Sequence, residues 1–198
     1  QKLNQLVQNL DAVGVREETM RALINREASC VVDPCMLLSA EAWHEIAELS
    51  LKRTNFIFIY QLFRNPKIIE TAIDLRNRLG VEVLVLSPYP LPFPPKGIHK
   101  LGRITPKAFI TYFYRANAVI SDSFHGTLFS ILFKKPFYTL LPGAKTGRIT
   151  TLLQKLGLSD RIVTLEPLPS ITVDYQIVDS LLQQEIQGSL NFIRRNIS

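Results

Sequence analysis

Asn55-Phe56-Ile57-Phe58-Ile59-Tyr60 decides the fold class. From Phe56 the run is apolar without a break, and it is β-branched and aromatic throughout. A strand wet on one side alternates apolar and polar residues. A strand with no polar position is buried on both faces, as in a parallel sheet covered by helices on each side. Downstream, Pro66 suits the first turn of a helix over 66–79, with Gly80 as its C-cap. The next buried strand spans 81–86. Five prolines between Pro88 and Pro95 then forbid both helix and central strand, so 87–95 is a rigid loop. Pro106 opens a further helix through 116, Ala118-Val119-Ile120-Ser121 reads as a strand, and 124–133 reads as a helix. A strand over 136–141 and a helix over 149–156, closed by Gly157, complete the alternation. Strand and helix alternating this often predict an α/β, Rossmann-like parallel sheet with helices on both faces. A long helix over 175–197 ends the chain, with Val178, Leu181, Leu182, Ile186, Leu190 and Ile193 on one stripe.

Upstream, residues 1–50 also alternate. Helical spacing runs over 2–11, a short strand over 12–15, a helix over 17–25, and a second short strand at Cys30-Val31-Val32 closed by Asp33-Pro34. Ser39 is placed to cap a helix through 49, with Glu41 and Glu45 suiting its N-terminal dipole.

The 198 residues are 46% apolar and 20% charged, which excludes a disordered chain. Twelve Pro and nine Gly without a period exclude collagen-like sequence. No apolar run is long enough to span a membrane, and the first ten residues lack the pattern of a signal peptide. The chain opens on Gln, so a fragment of a longer protein is expected. Cys30 and Cys35 cannot build a disulfide scaffold and point to a reducing compartment. With no Cys/His pair beside them, zinc is not expected. No Gly-x-Ser-x-Gly, Gly-x-Gly-x-x-Gly or complete P-loop pattern occurs.

The formal charge of +6 is uneven. Residues 1–50 hold four basic and eight acidic side chains, residues 51–150 fifteen and four, and residues 151–198 four and five. A central block at +11 suits an anionic partner or a solvated basic face. Phe109, Tyr112, Phe113 and Tyr114 interleave with Lys107 and Arg115, yet Phe109 and Phe113 at i, i+4 read more simply as a core face, so nucleic acid is not expected.

Ligands of open parallel sheets bind beyond the carboxyl ends of the strands. Two segments combine that placement with polar groups. In Ser121-Asp122-Ser123-Phe124-His125-Gly126-Thr127, first-turn amides around His125, Gly126 and Thr127 could receive an anion, and Gly126 could admit a ligand to the backbone. Ordinary capping by Asp122 or Ser123, with His125 packed nearby, fits the same residues. In Gly143-Ala144-Lys145-Thr146-Gly147-Arg148, Arg148 could fork onto a carboxylate or phosphate. A solvated loop fits equally.

The ten residues from Ala118 to Thr127 resemble the signature of the polysaccharide pyruvyl transferase family. Further landmarks follow the family order: Val15-Arg16-Glu17-Glu18, then Val32-Asp33-Pro34 with Leu37-Leu38 and Trp43, then Gly147-Arg148-Ile149 with Leu152-Leu153, Gly157-Leu158 and Arg161. The resemblance covers nearly the whole chain. It implies a two-domain GT-B-like enzyme with its site in the cleft between Rossmann-like domains. Residues 1–50 would be the tail of the N-terminal domain and linker, and 51–198 the C-terminal, donor-binding domain. It further implies transfer of the enolpyruvyl part of phosphoenolpyruvate onto a sugar of a surface polysaccharide, forming a pyruvate ketal.

On this resemblance His125 would be the general acid/base, imidazole in general being a proton exchanger near neutrality. Arg16, Ser123, Gly126, Thr127, Lys145 and Arg148 would bind the donor, with Asp122 orienting His125 or capping the helix. Some relatives carry Arg two residues before this His, where Ser123 stands here, so that anion contact must come from elsewhere, Arg148 or Lys145 being the candidates. No metal and no cofactor is implied, phosphoenolpyruvate being the donor substrate. The partners implied are that donor and a glycan or lipid-linked saccharide acceptor. The implied setting is bacterial cell-envelope and exopolysaccharide synthesis in the cytoplasm, with peripheral placement at the inner membrane face left open. A nucleotide-sugar-dependent glycosyltransferase and a non-catalytic module of this fold are the alternatives, and the oligomeric state is left undetermined.

Overall fold

The computed structural model describes residues 2–48, 50–141, 143, 147–163 and 168–197. In chain order its helices and strands are α1 (Lys2–Val7), β1 (Gly14–Val15), α2 (Glu18–Arg21), β2 (Ser29–Cys30), α3 (Ala40–Ile46), β3 (Phe56–Tyr60), α4 (Lys67–Leu79), β4 (Glu82–Leu86), β5 (Ile98–Lys100), α5 (Pro106–Arg115), β6 (Ala118–Ser121), α6 (Phe124–Leu132), β7 (Phe137–Thr139), α7 (Gly147–Lys155) and α8 (Tyr175–Asn196). They form two compact units, one of residues 1–38 with 176–198 and one of residues 39–175.

The larger unit holds a five-stranded, wholly parallel sheet in the order β5-β4-β3-β6-β7. Its central strand is the run that decided the fold class, and Phe56, Ile57, Phe58 and Ile59 are completely buried. The strand's period of two explains why no polar residue fits. Ile57 and Ile59 face a cluster that includes Ile68, Ala72 and Leu75 of α4. Phe56 and Phe58 pack on Tyr112 and Phe113 of α5, with ring centroids 5.0 Å apart for Phe58 and Phe113. The Phe109–Phe113 pair is the core face its spacing predicts, at 4.9 Å. The fold is therefore α/β, a parallel sheet flanked by helices.

Element ends follow local chemistry. Gly80 caps α4 at φ +67°, a left-handed conformation that favours glycine. Thr105 caps α5 by accepting from the Ala108 amide, and Ser39 caps α3 by accepting from the Ala42 amide. α3 stops at Ile46 rather than at 49. The edge strand β5 is absent from the sequence expectation.

In the smaller unit β1 and β2 pair in parallel over a core of Val7, Val13, Val15, Ile24 and Ala28. α1 ends at Val7, short of the expected residue 11. The Arg26 guanidinium donates to the carbonyls of Val7, Gln8, Leu10 and Asp11, so those oxygens find their partner outside a continued helix. α2 spans Glu18–Arg21 only, within the helix expected over 17–25. Within this unit Ser189 of α8 accepts from the Val32 amide at 2.9 Å. The side chains of Val31 and of Phe192 from α8 crowd Gly14. No helix among the described residues is long and apolar enough to cross a membrane.

Candidate functional site

The strand order fixes where a ligand should sit. From β3 the chain moves outward through β4 and β5, then returns to place β6 on the other side of β3 and continues to β7. The direction of winding reverses between β3 and β6. A crevice opens beyond the carboxyl ends of strands at such a point. Tyr60 and Ser121 end the two strands in register, so the segments after them form its two lips.

The second lip is the Ser121–Thr127 motif, and most of it is structural. Ser121 is buried, and its hydroxyl donates to the Tyr60 carbonyl at 2.7 Å and accepts from the Ser123 amide at 3.1 Å. Ser123 occupies the N-cap of α6 but makes no side-chain cap bond. Its hydroxyl instead engages the Tyr60 phenol. Burial first, and the nearby Asp122 charge second, push that phenol up from its ordinary value, while the Ser123 bond pulls it down.

Asp122 does not cap α6. Its two carboxylate oxygens accept from the amides of Leu62 and Phe63, at 2.7 and 2.9 Å, so it ties the β6 lip to the β3 lip. Burial pushes its carboxyl up, and those two amides act against that.

The Thr127 amide is not an open first-turn donor, because it bonds the Ser123 carbonyl at 2.9 Å. Its hydroxyl donates to the same carbonyl at 3.1 Å and lies 3.0 Å from that of Thr139, with the whole residue inaccessible. Donor contact through this side chain is thereby replaced by a helix-to-strand tie. Thr127→Val, equal in shape, should cost about 1–3 kcal/mol by stranding the Thr139 hydroxyl. Chemical denaturation checks the loss, and an unchanged midpoint would contradict the tie.

Gly126 is required by packing. A Cβ there would meet the Ser121 hydroxyl, the Ser121 Cβ at 2.7 Å and a Tyr60 ring carbon at 3.2 Å. Only glycine lets α6 start this close to β6.

Phe124 and His125, next in the motif, are both half-buried. Their rings lie 5.5 Å apart, nearly perpendicular. Arg148, in the first turn of α7, places its guanidinium 4.8 Å from the Phe124 ring centroid. A guanidinium over an aromatic face is held there by the ring's quadrupole. The structure thus brings Arg148 and His125 to one aromatic ring at the carboxyl end of the sheet. Lys145 lies outside the described residues.

Arg16 belongs to the smaller unit, where its guanidinium pairs with buried Asp33 at 2.6 Å. Asp33 also accepts from the Cys35 amide at 3.1 Å. Burial, then the bond and charge of Asp33, push the Cys35 thiol up to about 11, so it is a poor nucleophile at neutral pH.

The family model of polysaccharide pyruvyl transferases matches residues 1–142. The chain belongs to the polysaccharide pyruvyl transferase family. The match takes in Arg16 and the whole Ser121–Thr127 motif, whereas Arg148 lies beyond it. The family is one of transferases, as its name states.

No curated protein matches the chain. Among solved structures it is similar to the UDP-GlcNAc 2-epimerase of Methanocaldococcus jannaschii, at 10% identity and a TM-score of 0.41, over 73% of this chain and 41% of that one. It is also similar to the UDP-GlcNAc 2-epimerase of Neisseria meningitidis bound to UDP-GlcNAc, at 10% identity and a TM-score of 0.45, over 81% and 55%. The chain thus spans about half the length of the solved structures it matches.

Sequence reasoning missed the β3 lip. Gln61-Leu62-Phe63-Arg64-Asn65 carries no motif, and its place at the site emerges only from the strand order. The polar residues after the buried run were the available signal.

Proposed function

We propose that the protein transfers the enolpyruvyl group of phosphoenolpyruvate to a sugar of a surface polysaccharide, releasing phosphate and leaving a cyclic pyruvate ketal. The observation that carries this reading is the family match over residues 1–142. The chemistry suits the site. Phosphoenolpyruvate presents a phosphate and a carboxylate, and the central block of the sequence is strongly basic. Protonation at C3 turns the methylene into a methyl group and makes C2 electrophilic. One sugar hydroxyl then bonds C2. The second displaces phosphate from the same carbon. Of the two hydroxyl protons released, one balances the proton taken up at C3 and the other leaves on phosphate.

His125 is our candidate for the proton donor and acceptor, because an imidazole exchanges protons near neutrality. Arg148, steadied on Phe124, is our candidate for one anionic group of the donor. A glycan or lipid-linked saccharide is the acceptor class, and the cytoplasm is where both substrates would meet. Lys145 and Arg16 stand as further donor cations on the sequence motif alone.

A donor screen on the full-length protein tests the reading. Phosphoenolpyruvate should raise its melting temperature, and nucleotide sugars should not. The reverse pattern would place the protein among nucleotide-sugar transferases. In the same assay Arg148→Gln should weaken the phosphoenolpyruvate response by roughly ten- to a hundredfold, the worth of a charge-assisted bond.

A further inference from the structure

The five-residue segment after β3 is far better braced than its exposure requires. Leu62, Phe63 and Arg64 are all exposed. Yet the Leu62 and Phe63 amides are held by Asp122 from the neighbouring strand's loop, at 2.7 and 2.9 Å. The buried Gln61 side chain donates through Nε2 to the carbonyls of Phe63 and Asn65, at 2.8 and 3.2 Å. The Tyr89 hydroxyl donates to the Leu62 carbonyl at 3.3 Å. The Asn65 side chain accepts from the Lys67 amide at 3.1 Å, which turns the chain into α4.

Connecting loops usually satisfy their backbone with water and stay mobile. A loop whose backbone is fixed by three buried or half-buried side chains has a set shape, the condition for precise binding. Its location supplies the ligand argument. It leaves the carboxyl end of the central strand at the point where the winding reverses, beside the segment carrying His125. Asp122 puts a carboxylate at the floor of that crevice, and its oxygens are turned to the loop amides rather than outward.

We propose that residues 61–65 form the second wall of the donor site, with Arg64 binding an anionic group of the donor and Asp122 acting as the positioning residue that sets the loop. This rests on the reading that the donor is phosphoenolpyruvate. Leu62 and Phe63, on the N-terminal side of Arg64, are exposed apolar residues of the same segment.

The test is calorimetric titration of the full-length protein with phosphoenolpyruvate, alongside steady-state kinetics and melting curves. Arg64→Gln should weaken donor binding and raise KM roughly ten- to a hundredfold while the melting temperature stays unchanged, since the side chain is exposed. Asp122→Asn keeps one acceptor oxygen and should weaken the donor less than Asp122→Ala. Ser130→Ala is the stability control. It removes a buried bond to the Gly126 carbonyl and should lower the melting temperature without moving KM for the donor. Wild-type binding left within twofold by Arg64→Gln overturns the loop assignment alone. Absence of phosphoenolpyruvate binding by the wild-type protein overturns both this inference and the reading of the donor.

Discussion

Gly126→Ala is expected to destabilise the larger unit by about 3 kcal/mol or more, the upper range for overpacking. Two effects of opposite sign compete. Alanine is the better helix former by about 1 kcal/mol, so a glycine in an open helical position would gain from the change. This position is not open. The new methyl would sit against the Ser121 hydroxyl and 2.7 Å from the Ser121 Cβ, which is fixed to the β6 backbone. Ser121 cannot turn away without breaking its bonds to the Tyr60 carbonyl and the Ser123 amide. The helix start must therefore move off β6, and the buried face of α6 moves with it. At about 2–4 °C per kcal/mol for a chain of this size, a fall in melting temperature on the order of 10 °C should be read by circular dichroism. An unchanged melting temperature would mean that α6 does not begin against Ser121.

His125→Ala should have the opposite signature. The imidazole is half-buried at the carboxyl end of the sheet, so truncating it should leave folding within about 1 kcal/mol of wild type. Turnover should fall by about 10²–10⁴, the contribution of a positioned proton donor. The full-length variant would be assayed for phosphate release and for ketal on the acceptor. Turnover near the wild-type level would remove His125 from the proton-transfer role. The glycine and histidine variants thus test two parts of one motif, a packing residue and a candidate reacting one, although they are adjacent in sequence.

That separation is what the sequence could not supply. The strands at 56–60 and 118–121 were legible because unbroken apolar runs have one home, between two layers of helix. Pro66, Gly80, Pro106 and Gly157 marked helix ends through φ restriction and donor loss, which act locally. β5 was not legible: it is three residues long, follows a proline-rich loop, and buries only Ile98. The N-terminal helices were expected too long because their ends are set by distant groups, such as Arg26 collecting carbonyls fifteen to nineteen residues away.

The candidate site was half legible. The motif singles out His125 as a candidate, and the segment after β7 singles out Arg148. That both flank Phe124 depends on tertiary placement. The duties of Ser123, Gly126 and Thr127 depended on what lay opposite them, namely Tyr60, Ser121 and Thr139. Asp122 offered two ordinary local readings, and its partners proved to be amides about sixty residues earlier. Strand order joins those segments, and no short-range pattern records it.

The central claim is that C3 of phosphoenolpyruvate is protonated and C2 is delivered to a saccharide. Transfer carried out in D2O with the full-length protein and its acceptor tests it most directly. The account predicts release of one phosphate per transfer and a ketal methyl group carrying one deuterium, seen by NMR and mass spectrometry. Glycosyl transfer from a nucleotide sugar, with no phosphate released from phosphoenolpyruvate and no new methyl signal, would contradict it.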